Sequence, residues 1–210
     1  MENFFEPAGR RDLHWHILPT PEEASALTAP YRGVAPPGLP SVPVQAVHCT
    51  LLHAVGLSIT DVDADVLLKD VGSYARTRPP FTLTFDRPAV GNVAVEISGW
   101  PGHPFNEIVE ALIQAMDRTG ANFTAAPSRY PHVSVAYAAD GAEDIEAVTL
   151  KAALAAIEQP LSTAVAVNRL HLVEQWHDGA HIMWNPIAQV PLAGVPASAP
   201  RPGHTGAPDR

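Results

Sequence analysis

Two short stretches hold the residues best suited to chemistry: His48-Cys49-Thr50-Leu51 and His132-Val133-Ser134-Val135. Each reads histidine, hydrophobe, hydroxyl residue, hydrophobe. On an extended strand alternate side chains share a face, so His48 lies beside Thr50 and His132 beside Ser134, with apolar side chains turned the other way. Placed across a phosphate, one neutral imidazole can take a proton from a nucleophile while the other, protonated, donates to the departing oxygen. The two hydroxyls can hydrogen-bond the non-bridging oxygens and keep the phosphorus in line between the rings. That apparatus calls for no metal, and no cofactor is expected. A single strand histidine is more often packed or solvated than catalytic. The repetition is what favours chemistry here.

These residues need strands to carry them. Residues 44–52 and 131–138 are predicted as strands, with the small Ala46 and Ala136 beside the polar pairs, as a cleft floor would have. Residues 13–18 form an earlier strand, with His14 and His16 on one face. Residues 19–43 hold seven prolines and are predicted to be a long surface loop, since proline is excluded from helix interiors and central strands. Thr60 with Asp63 suggests a capped helix start, and that helix is expected to reach about Arg76 before Pro79-Pro80. Residues 81–85 and 89–100 are predicted to pair as a hairpin around Arg87-Pro88.

In residues 104–118, Phe105, Ile108, Val109, Leu112 and Met116 recur at helical spacing, and Gly120 lies just past the end. A third helix is expected over 143–158, halted by Pro160. Strands over 165–176 and 181–191 close the chain as a hairpin around Asp178-Gly179. The order is β-β-α-β-β, then α-β-α-β-β: two halves with similar element order. It favours an α+β fold with two mostly antiparallel sheets and helices outside. Residues 1–12 are expected to be an N-terminal extension and 193–210 a disordered tail, with one domain over 13–192.

The net charge is −9, with 13 basic residues among 210. Long nucleic acids are held largely by clustered Lys and Arg, so extended DNA or RNA is not an expected partner. A small anion remains compatible, because a pocket can be locally positive in an acidic molecule. No apolar run approaches the length of a membrane span, and the polar start MENFFEPAGRRDLHW does not resemble a signal peptide. The single cysteine excludes an internal disulfide and fits a cytoplasmic setting. A monomer is expected.

The paired tetrads resemble those of the two-histidine (2H) phosphoesterase superfamily, which includes bacterial 2′-5′ RNA ligases and cyclic nucleotide phosphodiesterases. The histidine separation, 132 − 48 = 84 residues, is similar to that family's. So are Pro131 before His132 and the closing hairpin NRLHLVEQWHDGAHIMWNPIAQVPL. The resemblance spans about residues 13–192. It implies a bilobal, pseudo-two-fold fold whose sheets flank a central cleft, with His48 and His132 as the catalytic acid-base pair and Thr50 and Ser134 holding the phosphate. The implied reaction opens a 2′,3′-cyclic phosphate on a small nucleotide or RNA end, and some relatives run the reverse 2′-5′ ligation. Tyr137 departs from the basic residue often found there in the ligase branch, which counts against an oligonucleotide substrate.

Other residues are weaker candidates. His14 and His16 have a spacing usable for metal, but no carboxylate or third histidine stands at a matching interval, so they are expected to border the cleft or be solvated. His53 is predicted on the face opposite His48, and His177 and His181 beside a turn. Cys49 is expected to be an inert core residue. Tyr31, Tyr130 and Trp184 could stack on a base, and Arg129 could assist an anion. Two rivals stand beside the enzyme reading: a non-catalytic nucleotide-binding module, which would never turn over, and a metal-dependent hydrolase built on His14 and His16, which chelation would silence.

Overall fold

One strand, β1 (Asp12–Ile17), is buried along its whole length because it runs through the middle of a five-stranded sheet and carries neighbours on both edges. The computed structural model describes residues 1–2, 4, 11–34, 36–158, 161–177 and 181–196. Besides β1, this sheet contains β2 (Cys49–Val55), β5 (Thr124–Pro127), β8 (Arg169–His177) and β9 (Ile182–Pro191). The strand order is β5-β2-β1-β8-β9. A second sheet runs β6-β4-β3-β7, from β3 (Phe81–Val90), β4 (Ala94–Trp100), β6 (His132–Tyr137) and β7 (Thr163–Val167). All pairings are antiparallel. The fold is α+β, as the element order implied, and bilobal, as the resemblance implied, with one sheet to each lobe.

Helices cover the apolar faces. In α3 (Gly102–Arg118), Phe105, Ile108, Val109, Leu112 and Met116 are all buried, the stripe that the spacing predicts. It packs on β2 and on α2 (Ala64–Ala75), which in turn meets β9. Burying five such side chains is worth roughly 1.5–3 kcal/mol each before chain entropy is subtracted. On the other lobe, α4 (Ala147–Ala155) packs on β3; it is shorter than predicted, and Pro160 lies outside the described residues.

Several expectations are corrected. Residues 19–43 are not a surface loop: they open with a helix, α1 (Pro21–Thr28). Thr20 and Glu23 form a reciprocal capping box and Pro21 occupies the first turn, where its missing N–H costs nothing. Leu27, Tyr31, Leu39 and Val42 from this segment are buried. The segment also runs antiparallel to β6, through a Ser41–Ala136 bridge. Gly38 sits at φ +87°, and a Cβ there would lie 2.7 Å from the carbonyl carbon of Gly141, so the approach requires glycine.

The strand expected over 44–52 begins only at Cys49, since Val44–Ala46 is a 3-10 turn. His48 therefore stands one residue before β2, and Ala46 does not share its strand face. Asp63 is the N-cap of α2, its carboxylate accepting from Val66 N–H, rather than the third residue of a box begun at Thr60. Arg87-Pro88 lies inside β3, which continues past a bulge at Asp86, so the hairpin turns at residues 91–93. The predicted strand 165–176 is two strands: the chain breaks at Asn168 and crosses between sheets. β8 and β9 do pair as predicted; their Asp178-Gly179 turn lies outside the described residues, as do residues 197–210 of the expected tail. Met1, Glu2 and Phe4 of the expected extension hydrogen-bond Ala142, Asn92 and Ala138.

Candidate active site

Both tetrad histidines are held by the same short device. His48 Nδ1 lies 2.8 Å from the carbonyl oxygen of Ala46, two residues back. His132 Nδ1 lies 3.1 Å from that of Tyr130, also two residues back. A carbonyl only accepts, so Nδ1 carries the hydrogen in each ring and Nε2 is left as the nitrogen free to exchange a proton.

The strands share a second device. In the β1–β2 ladder Trp15 opposes Leu52 and His16 opposes Thr50, so Leu51 is an extra residue. In the β4–β6 ladder Val95 opposes Ala136 and Glu96 opposes Ser134, so Val135 is extra. Each tetrad thus ends in a β-bulge that reverses the alternation beyond it. The bulge in β2 puts His53 on the face of His48 and Thr50, correcting the expectation that it points away. His53 stacks on His14 with centroids 4.0 Å apart, and its Nε2 meets Asp12 Oδ2 at 2.9 Å. The bulge in β6 likewise brings Tyr137 to Ser134, whose side chain it hydrogen-bonds. The ring of Tyr137 stacks on Phe4 at 4.5 Å.

The first lobe therefore presents a wall of imidazoles. His16 stacks on His48 with centroids 4.4 Å apart, His14 meets His16 edge-on at 5.4 Å, and His171 opposes His16 across β1 and β8. Trp184 of β9 closes the wall, edge-on to His48 at 5.1 Å and to His16 at 5.8 Å. His16 is wholly buried, and neither of its nitrogens has a hydrogen-bond partner among the described residues. Burial pushes His48 down to about 4, opposed by its bond to Ala46 and reinforced by the charge of His132. Burial also lowers His171 to about 4, and it lowers His14 and His16 further still, with neighbouring histidines adding to both. These rings are stacked rather than aimed at one point, and no group of three or more potential ligands is arranged around a metal among the described residues.

The second lobe is different. His132 is half-buried, and its Nε2 lies 4.0 Å from Glu96 Oε2. Tyr130 donates its hydroxyl hydrogen to Glu96 Oε1, and its ring lies 5.3 Å from that of His132. The two lobes meet where β2 packs on β6. Cys49, fully buried between them, contacts the His132 backbone, and burial pushes its thiol up to about 12. The structure brings His48, Thr50, His132 and Ser134 to this junction. Of the aromatic candidates, Tyr31 is buried, whereas Tyr130 and Trp184 each flank a tetrad histidine. Arg129 is exposed beside Tyr130. Sequence reasoning missed Glu96: an isolated acid in a strand carries no local signal, and only the β4–β6 register places it opposite Ser134.

The family model for the 2′-5′ RNA ligase superfamily matches residues 20–179. No curated protein sequence matches the chain. Among solved structures, a phosphoesterase crystal structure matches at 19% identity and TM-score 0.66, covering 87% of this chain and 98% of the other. E. coli LigT complexed with NADP+ matches at 18% identity and TM-score 0.64, with the same coverage. E. coli LigT complexed with 3′-AMP matches at 16% identity and TM-score 0.62, again covering 87% and 98%. At these identities the likeness is one of fold. No helix among the described residues is long and apolar enough to cross a membrane.

Proposed function

The chain belongs to the 2′-5′ RNA ligase superfamily, and from that premise we propose that it hydrolyses a 2′,3′-cyclic phosphate on a small nucleotide or RNA end, with His48 and His132 as its acid-base pair. One observation carries the reading: both histidines are anchored through Nδ1 to the carbonyl two residues back, so each offers Nε2. Two imidazoles presented alike from two lobes suit a reaction that takes a proton on one side of a phosphorus and gives one on the other.

Water attacks the phosphorus as one Nε2 accepts its proton; the bond to one ribose oxygen breaks as the other Nε2–H donates to that oxygen. Water is consumed, and the two rings regain their starting states by exchange with solvent. Thr50 and Ser134 hold the non-bridging oxygens, which keeps attack in line. The chemistry asks nothing of a metal. The ligand would be a single nucleotide or RNA end, in keeping with the complexes of LigT with 3′-AMP and NADP+.

The test is chromatography of the four 2′,3′-cyclic nucleotides after incubation with the protein in excess chelator. Accumulation of a nucleoside monophosphate is expected, and the position of its phosphate reports which bond broke. No product from any of the four would contradict the proposal, as would product that vanishes with the chelator.

A further inference from the structure

The second lobe carries two large rings that the acid-base chemistry leaves unused. Trp100 and Tyr130 are 47% and 44% exposed. Side chains alternate along β4, so Glu96, Ser98 and Trp100 share one face. Ser98 opposes His132, and the Gly99 N–H bonds the Pro131 carbonyl at 2.8 Å, which carries the pairing on toward Trp100 and Tyr130. Trp100 thus stands two residues, about 7 Å of strand, beyond the step level with His132. Thr84 and Arg87 of β3 oppose Trp100 and Ser98 on that same face. Each ring is clamped at its polar end: the Trp100 indole N–H donates to Asp86 Oδ2 at 3.1 Å, and the Tyr130 hydroxyl donates to Glu96 Oε1. Rings tethered in this way keep a face open and lose little further freedom when a planar group settles on them. Cations lie at the same edge. Arg129 is exposed beside Tyr130 without an ion pair among the described residues, and the Arg87 side chain is 74% exposed.

We infer that Trp100, with Tyr130 beside it, stacks the nucleoside one step 5′ of the cyclic phosphate, and that Arg129 meets the phosphodiester joining the two, so that the preferred substrate is an RNA end of at least two nucleotides rather than a free cyclic mononucleotide. The inference rests on the phosphodiesterase reading above and names the substrate class of that site. Aromatic faces accept any base, and an arginine beside them follows the backbone, which is how single strands are held. One or two arginines in a chain of net charge −9 suit a short end, not a long strand. Tyr137, whose identity counts against an oligonucleotide, is engaged by Ser134 and Phe4 at the far end of β6 and leaves this edge untouched.

The assay compares kcat/KM for ApA bearing a terminal 2′,3′-cyclic phosphate with kcat/KM for adenosine 2′,3′-cyclic phosphate, in wild type, Trp100→Ala, Trp100→Phe and Arg129→Ala. Both substrates are opened by the same folded molecules, so their ratio is unmoved by any variant's loss of folded protein. Stacking is worth about 1–3 kcal/mol per base, which at about 1.4 kcal/mol per tenfold gives an expected wild-type preference for the dinucleotide of about 5- to 140-fold. Trp100→Ala lowers the ratio toward one, and Trp100→Phe, which keeps a ring, holds most of it. Arg129→Ala lowers the ratio and weakens its fall with added salt, because one phosphate contact is lost. A wild-type ratio near one, a Trp100→Ala ratio equal to that of wild type, or equal losses in the Ala and Phe variants overturns the inference and leaves the hydrolysis standing. A wild type that opens neither substrate overturns the phosphodiesterase reading itself, and the inference with it.

Discussion

The imidazole of His16 lies flat on that of His48, with centroids 4.4 Å apart and planes 22° from parallel. Together with the bond to Ala46 and the edge of Trp184, it fixes the His48 ring on three sides. Truncating His16 to Ala should leave a buried cavity and a loose His48, at about 2–4 kcal/mol of stability, as for other large-to-small core changes, and at least roughly a tenfold loss of kcat. His16→Phe keeps the stack and removes two buried nitrogens without partners, so it should hold stability or raise it by about 1 kcal/mol. Urea unfolding and steady-state kinetics check both; a His16→Ala variant with unchanged stability and turnover would contradict this role.

The imidazole wall should also make the protein sensitive to acid. Burial holds His48 and His171 near 4, against an ordinary value of 6.5. Above 6.5 both folded and unfolded chains leave these rings neutral, and their contribution is fully present. As pH falls from 6.5 toward 4 the unfolded chain takes up protons that the folded one refuses, and stability drops by up to about 1.4 kcal/mol per pH unit per group. The melting temperature should therefore fall steeply over that window, and less steeply in His171→Phe. A melting temperature flat between pH 6.5 and 4 would contradict it.

How much of this was open to sequence reading depends on how local each cause is. The tetrads were legible because an i, i+2 pair on a strand is a local pattern, and α3 because its stripe repeats through 17 residues. The bulges at Leu51 and Val135 were not, since neither residue is a glycine or otherwise marked, and the extra residue is defined only against the partner strand. Simple alternation therefore points His53 away from His48 and Tyr137 away from Ser134, whereas the bulges bring each pair to one face. The start of α1 is spelled by Thr20, Pro21 and Glu23, but the seven prolines of residues 19–43 mask it: proline opposes a helix interior and is compatible with a first turn. The edge strand β5, exposed throughout and ending in Pro127, offered neither hydrophobic alternation nor β-branched residues after Thr124.

Ser134 is buried, and its side chain is hydrogen-bonded to Tyr137. Ser134→Ala should lower kcat/KM by about 10- to 100-fold through loss of a phosphate donor, whereas Ser134→Thr, which keeps the hydroxyl, should stay within a few fold. Tyr137→Phe frees the serine hydroxyl and is expected to perturb KM more than kcat. Equal losses in the Ala and Thr variants would argue that volume, not the hydroxyl, matters at this position.

At α1 the expected effect is on stability alone. Thr20→Ala removes the acceptor for Glu23 N–H at 3.2 Å and should cost about 1 kcal/mol. Glu23→Ala also removes the acceptor for Ala166 N–H at 2.9 Å, the bond that ties α1 to β7, and should cost more. Neither should change kcat. Chemical denaturation beside turnover distinguishes this scaffold role from one in binding, which a raised KM in Thr20→Ala would reveal.

The measurement that bears most directly on the whole account is turnover of 2′,3′-cyclic AMP by wild type, His48→Ala, His132→Ala and the double variant, each shown to be folded. Two rings acting as one acid-base unit predict a loss of about 10²–10⁴ in each single variant and little further loss in the double, because groups that work together do not contribute independently. Either single variant staying within roughly tenfold of wild type, or losses that multiply in the double, would contradict it.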